Sequence, residues 1–209
     1  MKASLHAAAV KLVEQLIVPF YHIERDMPIP IGKRRNENDA EHSWSLALFA
    51  CALAGSIDPH LDVGKVCQLA VVHDLVELFA GDVSVFAESA ADLASKPTKE
   101  AAAHQRIVAQ FAELPWLTDA LDEYERQASP EAHYVRAIDK YIAPIIRSID
   151  HGRFFKEHRI TLERFRQAVA VPVAKAQVHS AAAEYVQFAH QELGRHPDLF
   201  FQEFPAHIE

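Results

Sequence analysis

The chain has 209 residues, half of them apolar and 24% charged, a balance that excludes a disordered or fibrous protein. Its net charge of −8 argues against a sequence-independent grip on DNA or RNA, so no nucleic-acid polymer is expected as a partner. The length suits a single domain over residues 1–209.

In chain order, Leu5, Leu12, Val13 and Leu16 recur at helical spacing over roughly residues 4–18, while Glu14 and Gln15 interrupt the apolar stretch. That pattern favours an amphipathic first helix over a signal peptide. No apolar run approaches the ~18–20 residues of a membrane span, so no membrane is expected as a partner. Met27 to Asn38 then forms a proline-containing basic loop, and Asp39 looks like the N-cap of a helix running to about Ser56. Asp62 can cap the next helix, which carries VCQLAVVHDLVELFA and stops at Gly81. Its polar residues are spaced three and four apart, which speaks against a strand.

After a loop over 82–96, Pro97 suits the first turn of a helix, and Trp116 to Gln127 forms a short acidic one. Ser129-Pro130 opens a long helix with Val135, Ile138, Ile142, Ile145 and Ile149 on one face, with Pro144 inside it and Gly152 at its end. Helices near 161–168 and 172–193 follow. Six glycines and no hairpin signal leave an all-α reading. Cys51 and Cys67 sit in apolar helical stretches, where reduced core thiols fit a cytoplasmic protein.

The strongest local signal is His73-Asp74 followed by Glu77. On a helix these lie at i,i+4 and i,i+3, so all three can project to one side. Their neighbours are Leu69, Ala70, Val71, Val72, Leu75, Val76 and Leu78, among which unpaired polar groups are costly. A divalent cation resolves that cost, since imidazole and carboxylate are ordinary ligands. A polar stripe facing water is the bland alternative. Asp139 lies inside the Ile138–Ile142–Ile145 face, where either a metal or a buried ion pair to Arg136 or Lys140 would satisfy it. His42 shares a helix side with Leu46, Phe49, Ala50 and Leu53. Alone it reads as a core histidine; together the four make a candidate ligand set.

The order His, then His-Asp, then a distant Asp resembles the HD superfamily of metal-dependent phosphohydrolases. NENDAEHSWSLALFA (36–50) is similar to the family's first-histidine helix, LAVVHDLVELFAGDV (69–83) to its His-Asp helix and Gly-Asp turn, and EYERQASPEAHYVRAIDKYIAPI (123–145) to its last-aspartate segment. The blocks fall within about 34–150, and the nearest resemblance is to the 5′-deoxynucleotidase branch. The resemblance implies a single HD-domain helical bundle with His42, His73, Asp74 and Asp139 as ligands of a divalent cation. Manganese, cobalt, nickel, iron, zinc and magnesium all suit that set. It implies Glu77 as the acid/base toward water, Asp82 near the substrate, and a second ion that Glu77 and Asp82 could share. It also implies a homodimer. The basic run Lys33-Arg34-Arg35 could reach a phosphate, Arg34 and Arg35 better than Lys33, although a basic loop is commonly just solvated.

One departure stands out. The deoxynucleotidases carry an Arg-Trp pair upstream of the first histidine, but here the count back lands near Met27-Pro28, and no Arg-Trp occurs in the chain. The expectation is a phosphomonoesterase of a small phosphorylated metabolite, nucleoside 5′-monophosphates first. A phosphodiesterase or nucleoside-triphosphate hydrolase is the rival enzyme. A metal- or nucleotide-binding sensor is the rival of another class, against which Glu77 and Asp82 speak.

Overall fold

A computed structural model describes residues 2–31, 35–82, 86 and 90–203. The fold is all-α with a small two-stranded sheet. Residues divide into two units, Met1–Asp26 with Asn36–Val135, and Met27–Arg35 with Arg136–Glu209.

The first unit opens with α1 (Lys2–Leu12), a π-helical turn (Val13–Ile17) and α2 (Val18–Phe20). The π-turn inserts a residue into the helical count and rotates the face that follows. Of the expected stripe, Leu16 is buried and Leu12 half-buried, whereas Leu5 and Val13 are exposed. Lys2–Phe20 is a continuous 19-residue helical stretch with hydropathy 1.2 and only 17% of that window buried. By length and composition alone it could cross a bilayer, a test that signal sequences and soluble core helices also pass.

β1 (Glu24–Pro28) pairs with β2 (Asn36–Asn38). Neither carries the alternating β-branched pattern that announces a strand, which is why the pair was invisible in the sequence. α3 (Asp39–Ile57) starts one residue later than expected: Asn38, not Asp39, is the N-cap. Asn38 Oδ1 accepts from the Glu41 amide at 2.9 Å and Glu41 Oε2 accepts from the Asn38 amide at 3.1 Å, a reciprocal capping box. Asp39 thus becomes the first helical residue, and burial at 39, 42, 43, 46, 47, 50 and 54 gives α3 one inward face.

Asp62 caps α4 (Val63–Val72), its side chain accepting from the Lys65 amide at 3.1 Å. α4 packs on α3 through Val66, Leu69, Ala70 and Val72. Cys51 is half-buried and Cys67 exposed, both free thiols; Cys67 falls between the inward positions of α4 and so outside the core predicted for it.

Past Val72 the backbone tightens. The amides of Leu75, Glu77, Leu78 and Phe79 bond carbonyls three residues back, at 2.9–3.2 Å, before α5 (Glu77–Ala80). His73-Asp74 therefore sits at the end of a helix rather than mid-helix, and the i,i+4 argument for Glu77 does not hold as stated. Gly81 then turns the chain at φ +78°, a left-handed conformation that suits glycine.

α6 (Ala90–Gln110) starts before Pro97 and holds it internally, and α7 (Pro115–Arg126) ends at Gln127 in the left-handed region. α8 (Pro130–Ile149) is the expected long helix with Pro144 inside. Tyr134 donates its hydroxyl to Ala50 O at 2.9 Å, tying α8's start to α3.

In the second unit, Gly152 adopts φ +70°, and a Cβ there would lie 2.0 Å from Leu199 O. α9 (Arg153–Glu157), α10 (Leu162–Ala168), α11 (Ala170–Ala176) and α12 (Ser180–Leu193) follow. The helix expected over 172–193 is broken because His179 caps α12, Nδ1 accepting from the Ala182 amide at 3.2 Å. Phe154, Phe155, Phe165 and Phe200 form an aromatic core, with Phe155 and Phe200 stacked at 4.6 Å.

Candidate metal centre

The centre is built where α3 and α4 meet. His42 lies on the buried face of α3, one turn in from the Asn38 cap, and His73 at the C-terminus of α4. They are 3% and 2% exposed, with ring centroids 5.3 Å apart.

His73 Nδ1 lies 2.8 Å from Ala70 O. A carbonyl can only accept, so Nδ1 carries the hydrogen and Nε2 keeps its lone pair. That Nε2 is buried and makes no hydrogen bond among the described residues. Asp74 Oδ2 is 3.0 Å from it and 3.9 Å from His42 Nε2. On its other side His42 has Glu37 Oε1 at an ion-pair distance of 3.2 Å from Nδ1. Tyr124 of α7 meets the His73 ring edge-on at 5.9 Å and limits its rotation. Two oriented imidazoles and a carboxylate oxygen within 4 Å of both fit a divalent cation.

Around this trio the charge is dense. Arg25 of β1 donates to Asp74 Oδ2 at 2.6 Å and to Asp39 Oδ1 at 2.9 Å, with Glu37 Oε1 3.5 Å from its Nε. Asp39 is wholly buried, and burial, with Asp74 adding to it, pushes its carboxyl up to about 6 against the pull of Arg25. Glu77 is 3% exposed, and burial pushes it up to about 8. The Lys96 ammonium, 2.9 Å from Glu77 Oε1, pulls it down, while the charges of Asp74 and Asp82 push it up. Glu77 Oε2 is buried without a hydrogen-bond partner among the described residues.

His42, His73 and Asp74 are thus brought together, with Glu77 electrostatically linked to Asp74 and to Asp82. Asp82 is half-buried just past the Gly81 turn. Asp139 is in the second unit, buried on α8 and paired with Lys140, one of the two ion-pair partners weighed for it. Arg35 is exposed, and its carbonyl accepts from the Ile29 amide at 3.0 Å. Lys33 and Arg34 lie outside the described residues.

Sequence reasoning missed Arg25, Glu37, Asp39 as a buried carboxylate, and Lys96. Glu37 and Asp39 flank the cap in a polar run, and Arg25 and Lys96 reach the centre from elements whose positions no periodicity announces. The only available signal was the capping box, which fixes Glu37 and Asp39 close to His42.

Comparison with known proteins agrees with this geometry. The HD domain family (HD_3) matches residues 22–180. The 5′-deoxynucleotidase hdd1 of Schizosaccharomyces pombe is 25% identical over 166 residues, covering 75% of this chain and 80% of that protein. Human 5′-deoxynucleotidase HDDC2 is 28% identical over 109 residues, about half of each chain (51% and 51%). A crystal structure described as a predicted metal-dependent phosphohydrolase from Magnetospirillum magnetotacticum MS-1 superposes with a TM-score of 0.73 at 26% identity, covering 94% of this chain and 95% of that one. The family match spans more than half of the sequence and contains every proposed ligand. The chain belongs to the HD domain family, the metal-dependent phosphohydrolases that its motifs resemble.

Proposed function

We propose that the chain is a phosphomonoesterase, with nucleoside 5′-monophosphates as its first substrate class, and that His42, His73, Asp74 and Asp139 hold its principal divalent cation. The observation that carries this reading is the buried pair His42 and His73 with half-buried Asp74 beside them, the Ala70 carbonyl leaving His73 Nε2 as a lone-pair donor. The position of Asp139 in the motif order, and its burial on α8, support it as the fourth ligand. The names of the fungal and human relatives support nucleotide substrates.

When bound, the cation supplies Lewis acidity toward the phosphoryl group and offsets its charge. The chain's own residues supply the proton chemistry. Glu77 orients a water through Oε2 and takes its proton as the water oxygen bonds to phosphorus. The ester P–O bond breaks, and the same carboxyl returns the proton to the leaving alcohol oxygen. Glu37 holds His42 in its ligating orientation, and Arg25 fixes Asp74. Arg34 and Arg35 are proposed phosphate contacts from the β1–β2 loop, and Asp82 a substrate-side carboxylate that could share a second ion with Glu77.

The proposal extends to a cytoplasmic homodimer. Trp44, Leu48 and Trp116 are exposed beside an apolar groove of about 640 Å³, surface that a second copy could cover, and light scattering on the purified protein tests it.

A phosphate-release panel tests the function. Each deoxynucleoside 5′-monophosphate is paired with its ribonucleotide, with sugar phosphates, a cyclic dinucleotide and triphosphates alongside, under manganese, cobalt and magnesium. Phosphate released from monoesters and abolished by chelation is the expected result. Cleavage confined to diesters or triphosphates overturns the monoesterase reading.

A further inference from the structure

Lys96 is not among the residues expected to act, yet it meets Glu77, a carboxylate only 3% exposed. It projects from α6, which packs on α5, the short helix that begins at Glu77. Its Nζ lies 2.9 Å from Glu77 Oε1 and 3.6 Å from Glu100 Oε1 one turn further along α6. Glu100 thus anchors the lysine from the solvent side, with 30% of its side chain exposed, while Glu77's side chain is 4% exposed. The two oxygens of Glu77 are unequal as a result. Oε1 is engaged by the ammonium, and Oε2 is buried without a partner among the described residues.

We propose that Lys96 is a positioning residue: by gripping Oε1 of Glu77 it fixes the carboxylate plane and presents Oε2 as the atom that meets the reacting water. This rests on the hydrolase reading of Glu77 given above. A carboxylate on a short helix after an irregular turn has little else to define its rotamer, and misplacement of a base by about 1 Å costs on the order of 10²-fold in rate. Lysine suits the task because a single ammonium can bridge Glu77 and Glu100 at once.

The test compares full-length wild type, Lys96→Met, Lys96→Arg, Glu77→Gln and the Lys96→Met/Glu77→Gln double variant. Lys96→Met should lower kcat roughly 10–100-fold while KM stays within about 2-fold, and Lys96→Arg should recover most of the loss. In the double variant, Lys96→Met should add little to the loss from Glu77→Gln, because the lysine acts through that carboxylate. A KM rise with kcat retained marks a phosphate-binding lysine and overturns the proposal, as does full additivity in the double variant.

A second readout needs no turnover. The side-chain carboxyl ¹³C resonance of Glu77, assigned by its loss in Glu77→Gln, should move in Lys96→Met and return in Lys96→Arg. An unmoved resonance overturns the proposal whatever the kinetics. A wild type that hydrolyses no phosphate ester removes the hydrolase reading instead, and the resonance alone then decides whether Lys96 sets the Glu77 carboxylate.

Discussion

Arg25 Nη1 lies 2.6 Å from Asp74 Oδ2, the same oxygen that stands 3.0 Å from His73 Nε2. One carboxylate oxygen therefore faces a guanidinium on one side and the lone-pair nitrogen of His73 on the other. Arg25 also neutralises Asp39, which is wholly buried, so it is the counter-charge for two carboxylates at once. Truncating it as Arg25→Ala should remove a shared counter-charge from both and destabilise the metal-free protein by about 3 kcal/mol. A divalent cation at Asp74 replaces part of the lost charge. The rise in Tm on adding manganese or cobalt should accordingly be larger in Arg25→Ala than in wild type. Equal rises would show that Arg25 and the cation do not share Asp74.

Metal content gives the second expectation. Reconstituted wild type should hold about one tightly bound divalent ion per chain, and His73→Ala and Asp74→Ala should each weaken it ~10-fold or more. The reason is geometric: His73 Nε2 and Asp74 Oδ2 face one another at 3.0 Å, and removing either opens the set. Elemental analysis after dialysis against a weak chelator reads the outcome. Identical occupancy in all three proteins would sink the assignment.

Much of this was legible in the sequence, and for identifiable reasons. His42 and Asp139 could be read because each interrupts an apolar face of a long, regular helix, where periodicity fixes direction. Asp62 was readable as a cap because its chemistry is local. For Glu77 the helical-spacing argument fails in detail, since the chain leaves α-helical geometry between Val72 and Glu77. Arg25 and Lys96 were not legible: each reaches the centre by a tertiary approach, 49 positions from Asp74 and 19 from Glu77, and nothing local marks such a contact. The β1–β2 pair was missed because β2 is wholly polar and β1 ends in a proline.

Glu77 yields a joint prediction about rate and pH. Glu77→Gln should retain the principal ion and the fold while lowering kcat by ~10²-fold, the scale of lost acid/base assistance. In the metal-free protein burial pushes its carboxyl up from 4.5 to about 8. The folded state thus binds this proton more tightly than the unfolded chain does. The contribution to stability is present below the unfolded value and is lost as pH rises toward the folded one. Glutamine is free of that loss, so the Tm of metal-free Glu77→Gln relative to wild type should climb between pH 5 and pH 8. A Tm difference independent of pH across that window would show that Glu77 does not titrate there.

Gly152 tests the second unit at a position that is not itself a proposed metal ligand. It closes α8 with a positive φ of 70°, and its amide bonds Arg147 O at 3.2 Å, a helix end that favours glycine. The closer constraint is steric: a Cβ would stand 2.0 Å from Leu199 O and 2.6 Å from Leu199 Cα, backbone atoms that cannot rotate away. Leu199 precedes Phe200, which stacks on Phe155 and packs against Phe165 at 4.9 Å. Displacing the Leu199 backbone therefore disturbs the aromatic core as well as the turn. Gly152→Ala should cost about 2–4 kcal/mol, combining backbone strain with overpacking. Urea denaturation of the metal-free protein measures it, and near-ultraviolet dichroism should report the loosened aromatic cluster. Gly152 is none of the four proposed ligands, so the spectroscopic signature of bound cobalt should persist below the unfolding transition. A Gly152→Ala protein as stable as wild type would mean that the chain after α12 readily moves away from the α8 terminus.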